Sequence, residues 1–407
     1  MSSMNIIITG TGFSFPDGTG AAARVASFAK GLMHHGAAVH LFLPKPTENE
    51  ATGERNEDLR GVYEGIPFEY TCGRRLVAKT RVGAMLLYLR GLWRTCRAIL
   101  RIHRRERVDA ILLWYGESPI NMLVFKTLAI LLGALLIVEE CEFPFAARRK
   151  TAAVRATMWF NDHIGYRMPD GVFVISTCLQ DFFATRLRKT AGVLRVPILV
   201  ETDTFAHPID APDRTERRVI YCGNLNHEGE IAELLQAFSE VAGDLPSWSV
   251  QIIGDLAEGQ RRTELITLIA QLGLNGRVQL LGERPRKEIP GLLAGGDVMV
   301  LPRAARIFSL AGFPTKLGEY LASGKPVVVT GTGDIPLYLQ DGASAFVTPP
   351  GDSAAFARAL RYVMTHPREA AEVGRRGREV ALRQFDTLVN CGRVVEFIET
   401  LKTVRET

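Results

Sequence analysis

The sequence predicts an α/β protein with two Rossmann-like domains whose parallel sheets face each other across a cleft. The chain has 407 residues, more than one hydrophobic core usually holds, so two domains are expected. Short apolar runs alternate with amphipathic helical patterns throughout, which is typical of parallel strands covered on both faces. The alternation stops in a polar stretch with two prolines at residues 201–217 and then starts again.

The runs that we interpret as strands are rich in Val, Ile and Leu. In the first half they are Asn5–Thr9, Ala38–Leu43, Asp109–Trp114, Leu135–Glu139 and Gly171–Ser176. In the second half they are Arg218–Cys222, Ser249–Ile253, Val278–Leu281, Asp297–Leu301 and Pro326–Thr330. We expect a first domain over 1–204, a linker over 205–217, a second domain over 218–383, and a C-terminal helix over 384–407 that packs back on the first domain.

Charge is distributed unevenly along the chain. The net charge is +5, to which residues 1–200 contribute +9 and the remaining residues −4. A basic first half favours an anionic partner such as a phosphate, a nucleic acid or a membrane surface. An uneven but merely solvated surface accounts for the same numbers equally well.

Cysteine usage and the start of the chain indicate a compartment. None of the six cysteines forms a C-x-x-C pair, which argues against a zinc site or a disulfide framework and suits a reducing environment. The chain opens without a basic segment or a cleavage site, and its most apolar stretch, Leu128–Val138, is too short to span a bilayer. We therefore expect a cytoplasmic protein.

A glycine-rich loop from Gly10 to Gly20 leads into a helix predicted at Ala21–Met33. Gly18-Thr-Gly-Ala-Ala-Ala fits a loose dinucleotide fingerprint, but no acid follows near residue 40, so a nicotinamide cofactor is not expected. Free N–H groups at a helix start favour an anion, whereas a plain connecting loop explains the same residues as well.

The segment Phe313–Pro326 is the most informative. Pro314 and Gly324 bracket a short helix, on which Lys316 and Glu319 lie three residues apart and share a face. A lysine at a helix start can hold a diphosphate, and a carboxylate one turn deeper can accept two vicinal sugar hydroxyls. By spacing alone, a surface ion pair is the simpler explanation.

Residues 297–350 resemble the donor-binding signature of retaining glycosyltransferases of family 4, which have the GT-B fold. The resemblance lies in Asp297-Val-Met-Val-Leu-Pro-Arg303, Phe313-Pro-Thr-Lys-Leu-Gly-Glu-Tyr-Leu-Ala, Gly324-Lys-Pro-Val-Val and Gly333-Asp-Ile-Pro. The Pro-Thr-Lys-Leu-Gly-Glu-Tyr form of the motif indicates a subgroup. Further likeness lies in Gly18–Arg24, Phe173–Ser176 and Val196–Phe205.

The resemblance implies transfer of a sugar from a nucleotide-diphosphate sugar to a glycan or lipid-linked acceptor, with retention of configuration, in surface polysaccharide or glycoconjugate synthesis. It implies no cofactor or metal, and front-face attack assisted by the leaving phosphate. Lys316, and Glu142 on the acceptor side, would be catalytic, and Glu319 would hold the ribose. The implied donor-binding residues are Gly18, Thr19, Gly20, Gly223, Asn224, Arg284, Arg303, Thr315, Lys316 and Glu319.

The sequence departs from the family pattern at three positions. Ala311 stands where the family has its first glutamate, and Asn224 and Glu228 stand where an Arg and a Lys usually grip the diphosphate. Arg303 and Lys316 are the nearest substitutes. A protein that binds a nucleotide sugar or a partner without catalysis is therefore a second hypothesis, and a nucleotide-sugar epimerase on the same fold is a third.

On the acceptor side, carboxylates follow the strand at Leu135–Glu139. Carboxyl ends of strands face the ligand site in such sheets, so Glu140 or Glu142 could orient an acceptor hydroxyl. The two cannot aim the same way, because alternate residues of an extended chain point to opposite faces. A solvated strand exit explains them equally well, and His163 could serve instead.

Residues Arg81–Arg107 form a helical pattern with two stripes. The apolar stripe consists of Val82, Met85, Leu86, Leu89, Leu92, Trp93, Ile99 and Leu100, and the basic stripe of Arg90, Arg94, Arg97, Arg101 and Arg104. Such a helix could lie on the inner face of an anionic membrane, or pack on the core with a solvated basic face. Nucleic acid is not expected as a partner, because no aromatic-interleaved reading motif accompanies the arginines.

Overall fold

The computed structural model describes residues 4–18, 20–48, 56, 58–116, 118–144, 151–205, 216–223, 225, 229–254 and 260–406. The chain divides into two compact units. The first unit comprises Met1–Leu199 and Thr387–Thr407, and the second comprises Val200–Asp386. Residues 206–215 of the predicted linker, and the site positions Thr19 and Asn224, lie outside the described residues.

The first unit is built on a sheet of eight strands in the order β3-β4-β2-β1-β5-β6-β7-β8. Only the β3–β4 pair among them is antiparallel. The strands are β1 (Asn5–Gly10), β2 (Ala38–Leu43), β3 (Arg60–Tyr63), β4 (Ile66–Tyr70), β5 (Ala110–Trp114), β6 (Leu135–Glu140), β7 (Gly171–Val174) and β8 (Gly192–Arg195). The central strands are buried along their whole length, as their uninterrupted apolar runs require.

Helices cover this sheet and connect its parallel strands. They are α1 (Gly20–His34), α2 (Arg81–Arg105), α3 (Pro119–Leu132), α4 (Ala152–His163), α5 (Thr177–Ala184) and the C-terminal α14 (Thr387–Glu406), with a 3-10 turn at Gly165–Arg167. Phe28 of α1 anchors the core, with its ring centroid 5.7 Å from that of Trp114 and 5.9 Å from that of Phe173.

The C-terminal helix α14 packs against α1 of the first unit. Cys391 is fully buried there, and a Cβ on Gly31 would lie 2.4 Å from its sulfur, so only glycine allows this close approach. Farther along α14, Lys402 Nζ lies 2.5 Å from Asp109 Oδ1. The last turns of the chain are thereby fixed to the loop that leads into β5.

The second unit is built on a parallel sheet of six strands in the order β11-β10-β9-β12-β13-β14. The strands are β9 (Arg217–Cys222), β10 (Trp248–Ile253), β11 (Val278–Gly282), β12 (Val298–Leu301), β13 (Val327–Thr330) and β14 (Phe346–Thr348). In sequence order within the unit this is 3-2-1-4-5-6, the Rossmann order, in which the order of the strands across the sheet reverses between the first and the fourth strand. Here that switch point lies between β9 and β12.

The helices of the second unit alternate with these strands. They are α6 (Glu230–Ala242), α7 (Gln260–Gln271), α8 (Ile289–Ala294), α9 (Ile307–Ala311), α10 (Thr315–Ala322), α11 (Ile335–Tyr338), α12 (Ser353–Thr365) and α13 (Pro367–Val380). Short 3-10 turns lie at Thr202–Phe205 and Arg286–Glu288, and a π-helical turn at Ala381–Phe385 follows α13. No helix in the described part of the chain is both long and apolar enough to cross a bilayer.

All ten predicted strands are present, with ends that differ by at most two residues. The predicted strand at Gly171–Ser176 ends at Val174, because Ser176 instead caps α5 by accepting a hydrogen bond from Leu179 N at 3.3 Å. Asp297 lies outside β12, because its carboxylate accepts from the backbone N–H of Arg218 at 2.8 Å. The short strands β3, β4, β8 and β14 were not predicted.

Candidate active site

The carboxyl ends of β9 and β12 form the switch point of the second unit. In open α/β sheets, ligands bind in the crevice at this point. Gly223 directly follows β9, and Arg303 lies two residues after β12. The backbone N–H of Arg303 donates to Thr330 Oγ1 at the end of β13, at 3.1 Å, so the neighbouring strands β12 and β13 fix the start of the Arg303 side chain.

The guanidinium of Arg303 has no hydrogen-bond or ion-pair partner among the described residues, and its Nε is buried. Burial lowers the pKa of Arg303, while the charge of Glu230 and the Tyr221 hydroxyl act in the opposite direction. A cation that is largely removed from water and lacks a direct partner is costly unless a ligand completes it. The geometry is therefore that of an anion-binding arginine.

Two buried residues that act on the pKa of Arg303, Tyr221 and Glu230, were not predicted from the sequence. Tyr221, 1% exposed, donates from its hydroxyl to Glu230 Oε2 at 3.4 Å, and Glu230 in the first turn of α6 is 7% exposed. Burial, then the Glu230 charge, raises the pKa of Tyr221 well above its usual value. A Cβ on Gly223 would lie 3.0 Å from the Tyr221 hydroxyl, so the turn after β9 packs closely over this group.

The predicted pair on α10 is formed. Lys316 Nζ lies 2.9 Å from Glu319 Oε2, with side chains 28% and 10% exposed. Burial acts to lower the pKa of Lys316, but the charge and hydrogen bond of Glu319 together with the nearby Cys222 thiol outweigh it, and the pKa is raised. Glu319 Oε1 and the other Nζ protons have no partner within the described part of the chain. Both groups therefore keep hydrogen-bonding capacity for a ligand.

A buried tyrosine fixes α10 to the end of β9. The Tyr320 hydroxyl accepts from the backbone N–H of Cys222 at 2.6 Å and donates to its carbonyl at 3.0 Å. Tyr320 is fully buried, so these bonds are shielded from water. Burial also raises the pKa of the Cys222 thiol to about 11, against the opposing effect of Lys316. Through this anchor, Lys316 and Glu319 are held beside the switch point.

The remaining predicted residues of the second unit differ in their surroundings. Thr315 begins α10 and is exposed. Arg284 is exposed in the segment after β11. Arg286, two residues on, was not predicted, yet its charge acts on the pKa of Lys316. The structure thus adds Arg286 as a basic side chain near Lys316.

Ala311 ends α9 and is fully buried. Nearby, Gly333 has φ +55°, and a Cβ there would lie 2.6 Å from the carbonyl oxygen of Ser309. Hence the loop after β13 packs directly on α9. The position that carries a carboxylate in the family pattern is a packed methyl group here.

In the first unit, the glycine-rich loop packs over the ends of β1 and β5. Gly12 has φ +97°, and a Cβ there would lie 2.7 Å from the ring of Tyr115. Gly18 is exposed, and Gly20 is the first residue of α1. The two predicted glycines that are described thus lie on the surface at the start of α1.

The carboxylates at the carboxyl end of β6 differ in their surroundings. Glu139 is fully buried and binds Arg24, with Oε1 2.7 Å from Nε, and Arg24 also donates to the carbonyls of Val196 and Pro197 at 2.9 and 2.7 Å. Glu140 is 2% exposed and its Oε1 accepts from Gly116 N at 2.8 Å. The alternative that Glu140 orients an acceptor is therefore wrong, because its carboxylate is buried in the fold.

Glu142 lies two residues beyond β6 and is exposed. His163, the other alternative, ends α4, and its Nδ1 lies 2.8 Å from the carbonyl of Trp159. Of the residues proposed for the acceptor side, Glu142 is the carboxylate that is accessible to a substrate.

The structure shows which apolar residues of α2 face the core. Leu92 and Ile99 are buried, together with Tyr88. Five other apolar side chains are between 46% and 71% exposed: Val82, Met85, Leu86, Leu89 and Trp93. The predicted single apolar stripe is therefore divided, and its N-terminal part faces solvent beside the arginines.

Two family models match the chain. Residues 19–198 match the Glycosyl transferase 4-like domain, and residues 203–380 match Glycosyl transferases group 1. The two ranges leave only the termini and residues 199–202 unmatched. Each half of the chain therefore matches a model of a glycosyltransferase domain.

Curated relatives are similar over part of their length. The chain is 27% identical over 248 residues to a GDP-mannose-dependent alpha-(1-6)-phosphatidylinositol monomannoside mannosyltransferase of Mycolicibacterium smegmatis, covering 58% of this chain and 64% of that protein. It is 27% identical over 231 residues to the putative colanic acid biosynthesis glycosyltransferase WcaL of Escherichia coli, covering 55% and 56%. The alignments thus span less than two thirds of either relative.

Solved structures show the same fold over nearly the whole chain. Sucrose-phosphate synthase from Thermosynechococcus elongatus has a TM-score of 0.72 at 16% identity, covering 98% of this chain and 99% of that one. Anabaena HepE in complex with UDP-glucose has a TM-score of 0.68 at 18% identity, covering 98% and 100%. With these neighbours, the predicted GT-B fold is confirmed.

Proposed function

We propose that the protein is a retaining glycosyltransferase that moves a sugar from a nucleotide-diphosphate sugar to a glycan or lipid-linked acceptor, in the synthesis of a surface polysaccharide or glycoconjugate. In this proposal the second unit binds the donor and the first unit supplies the acceptor side. The observation that carries it is the Arg303 guanidinium at the switch point, which has no partner among the described residues, with the Lys316–Glu319 pair on the adjoining helix. The GDP-mannose and colanic acid relatives, and the UDP-glucose complex of HepE, support this class of substrate.

The diphosphate would be held by side-chain cations and backbone N–H groups. Arg303 is held by the backbone at its base and offers a guanidinium that can bind two phosphate oxygens. Lys316 adds a point charge, and two of its protons have no acceptor in the part of the chain that the structure describes. Together they neutralise the negative charge that develops on the leaving phosphate, a large term in such reactions. Gly223, Asn224, Arg284, and Gly18, Thr19 and Gly20 of the first unit complete the proposed donor contacts.

Glu319 would hold the donor ribose. Its Oε2 is engaged by Lys316, while Oε1, which has no partner among the residues that the structure describes, can accept from a ribose hydroxyl. The same pairing orients Glu319, so that Lys316 and Glu319 act as a unit that spans diphosphate and ribose. Thr315, exposed at the start of α10, lies one residue before Lys316.

Transfer would proceed by front-face attack. The bond from the anomeric carbon to the leaving phosphate oxygen breaks, the acceptor oxygen bonds to the same face, and the acceptor proton passes to the departing phosphate. No second carboxylate is required beside the anomeric carbon, which agrees with the packed methyl of Ala311. No resident cofactor or metal is part of this route. Glu142 would orient the acceptor hydroxyl.

The test is donor turnover by the full-length protein with a panel of GDP- and UDP-sugars. Lys316→Ala should lower turnover on the order of 10²- to 10³-fold, the usual effect of removing one transition-state contact, while the far-UV spectrum stays unchanged. Lys287→Ala removes an exposed lysine from the 3-10 turn before α8 and should leave turnover within twofold. Equal turnover in both variants would remove Lys316 from the active site.

A non-catalytic nucleotide-sugar-binding or partner protein is the alternative, and the buried methyl of Ala311 is the observation that favours it. Calorimetric binding of UDP or GDP without transfer or hydrolysis of any donor would support this alternative. Conversion of a donor without an acceptor would instead indicate an epimerase.

For location, the proposal is a cytoplasmic protein held reversibly on the inner face of an anionic membrane by the segment Arg81–Arg107. The exposed apolar side chains of α2 beside its arginines support this, since basic residues contribute roughly 1 kcal/mol each near such a surface. Reversing Arg94, Arg97 and Arg101 to Glu should release the protein from phosphatidylglycerol vesicles at low salt. The same charge change at Arg261, Arg358 and Arg368, exposed in the second unit, should not.

A further inference from the structure

Tyr221 and Glu230 are two buried polar side chains that the proposed donor contacts leave out. The Tyr221 hydroxyl donates to Glu230 Oε2 at 3.4 Å, and the two residues are 1% and 7% exposed. Glu230 is the first residue of α6, the helix that follows β9. A carboxylate so far removed from water is costly without a positive charge close by. The position of Glu230 therefore indicates a nearby cation.

The sheet brings Arg303 to this carboxylate. Strand β12 pairs in parallel with β9, with Met299 opposite Ile220, so Arg303, two residues past the end of β12, leaves the sheet beside the turn after β9. Burial lowers the pKa of Arg303, and the charge of Glu230 and the Tyr221 hydroxyl act against that effect. The charge of Arg303 in turn acts to lower the pKa of Tyr221. Arg303, Tyr221 and Glu230 thus form one electrostatic cluster.

The attraction between Arg303 and Glu230 acts without a direct ion pair. Among the described residues the Arg303 guanidinium has no hydrogen-bond or ion-pair partner, although its Nε is buried. A bidentate pair with a carboxylate would occupy the same N–H groups that a phosphate binds. At the observed separation, Glu230 can attract the guanidinium while its N–H groups stay available to a ligand.

The sequence of the turn after β9 gives this arrangement a reason. Residues 223–229 contain no arginine or lysine, so the diphosphate must be bound by cations from elsewhere in the unit. Arg303 extends from the neighbouring strand, and a long arginine side chain loses about 1.5–2 kcal/mol of rotamer freedom when it is fixed. A buried carboxylate that restricts the free side chain reduces the part of this cost that falls on binding.

We propose that Glu230 is a positioning residue, which holds the Arg303 guanidinium in the orientation that binds the donor diphosphate, and that Tyr221 fixes the Glu230 carboxylate. This role rests on the proposed function, because it requires that the second unit binds a nucleotide diphosphate. Glu230 itself does not bind the donor, since its negative charge repels the diphosphate. Its benefit comes through Arg303 alone, and these two opposite effects can be separated by mutation.

The test is a double-mutant cycle on nucleotide binding, measured by calorimetry on the full chain with UDP and with GDP. Glu230→Gln removes the charge and keeps an oxygen that can accept from Tyr221. It should weaken binding of the tighter of the two nucleotides about fivefold or more, a coupling usual for neighbouring residues. In an Arg303→Ala background, the same substitution should leave the affinity within twofold or raise it, because only the repulsion is removed.

Two further measurements separate positioning from a structural role. UMP and GMP lack the second phosphate, so Glu230→Gln should weaken the diphosphate more than the monophosphate of the same base, whereas a general loosening of the unit would weaken both equally. Tyr221→Phe should also weaken the diphosphate more than the monophosphate, because it releases the Glu230 carboxylate. Glu240→Gln makes the matched change at an exposed position of α6 and should leave both affinities within twofold.

The possible contradictions are distinguishable. Equal losses from Glu230→Gln in the wild-type and Arg303→Ala backgrounds would overturn the proposal, because Glu230 would then not act through Arg303. Equal losses for diphosphate and monophosphate would overturn it in favour of a structural role. Both results leave the proposed function standing. If neither UDP nor GDP binds, or if Arg303→Ala leaves their binding unchanged, the donor site assigned to the second unit fails together with the role of Glu230.

Discussion

Removal of the Tyr320 hydroxyl tests how the site is held together. Tyr320→Phe deletes one oxygen that makes two hydrogen bonds to the backbone of Cys222, at 2.6 and 3.0 Å, in a fully buried position. Each buried backbone group left unpaired costs about 1–3 kcal/mol, so the loss of both bonds costs about 2–6 kcal/mol. In a unit of this size each kcal/mol lowers the unfolding midpoint by roughly 2–4 °C. A decrease on the order of 10 °C is expected in scanning calorimetry.

Tyr320→Phe should also lower the rate of donor turnover. The helix that carries Lys316 and Glu319 loses its bond to β9, and a small misplacement of aligned groups costs on the order of 10²-fold in rate. We expect donor turnover to fall on the order of 10- to 100-fold. Tyr362→Phe is the control, because Tyr362 is 44% exposed and its ring stacks on His366. If Tyr320→Phe retains both the midpoint and the turnover of the control, the anchoring role of Tyr320 is wrong.

Three further changes test the fold around the site. Arg24→Met should destabilise the first unit by about 3–5 kcal/mol, because it leaves the Glu139 carboxylate buried without a countercharge. Adding Glu139→Leu should restore much of that stability in denaturant titrations, and no recovery would contradict the pairing of Arg24 with Glu139. Gly12→Ala should lower the unfolding midpoint more than Gly36→Ala. Both glycines have positive φ, but only a Cβ at Gly12 would meet a neighbour, the ring of Tyr115 at 2.7 Å. Equal effects of the two substitutions would contradict this close contact. The free energy of unfolding should fall as pH rises from 9 to about 11, because the unfolded chain releases the Cys222 proton at a lower pH than the folded chain, in which burial raises the pKa of the thiol. Cys222→Ala should make this pH dependence shallower, and an unchanged pH dependence would contradict burial of Cys222 as its source.

Local patterns predicted the parts of the site that are local in the chain. Lys316 and Glu319 are three residues apart on one helix, so their pairing follows from helical geometry once the helix is recognised. The group of Tyr221, Glu230 and Arg303 is assembled from β9, α6 and the segment after β12. Nothing in the spacing of these three residues indicates contact, because the order of strands in the sheet brings them together.

The spacing of the apolar residues in α2 also did not predict which of them face the core. Leu86 and Leu92 belong to the same apolar pattern, yet Leu86 is 62% exposed and Leu92 is 4% exposed. Which residues face the core depends on how the helix lies on the sheet, and this is set by packing against β2. The edge strand β3 and its neighbour β4 were missed for a related reason: they are four and five residues long, and β3 has no buried residue.

The most direct test of the account is a crystal structure of the protein soaked with UDP and, separately, with GDP. The account predicts that one of the nucleotides binds at the switch point of the second unit, with its diphosphate on Arg303 and Lys316 and its ribose on Glu319. A nucleotide bound elsewhere, or neither nucleotide near Glu319 at saturating concentration, would contradict the site assignment and the proposed function that depends on it.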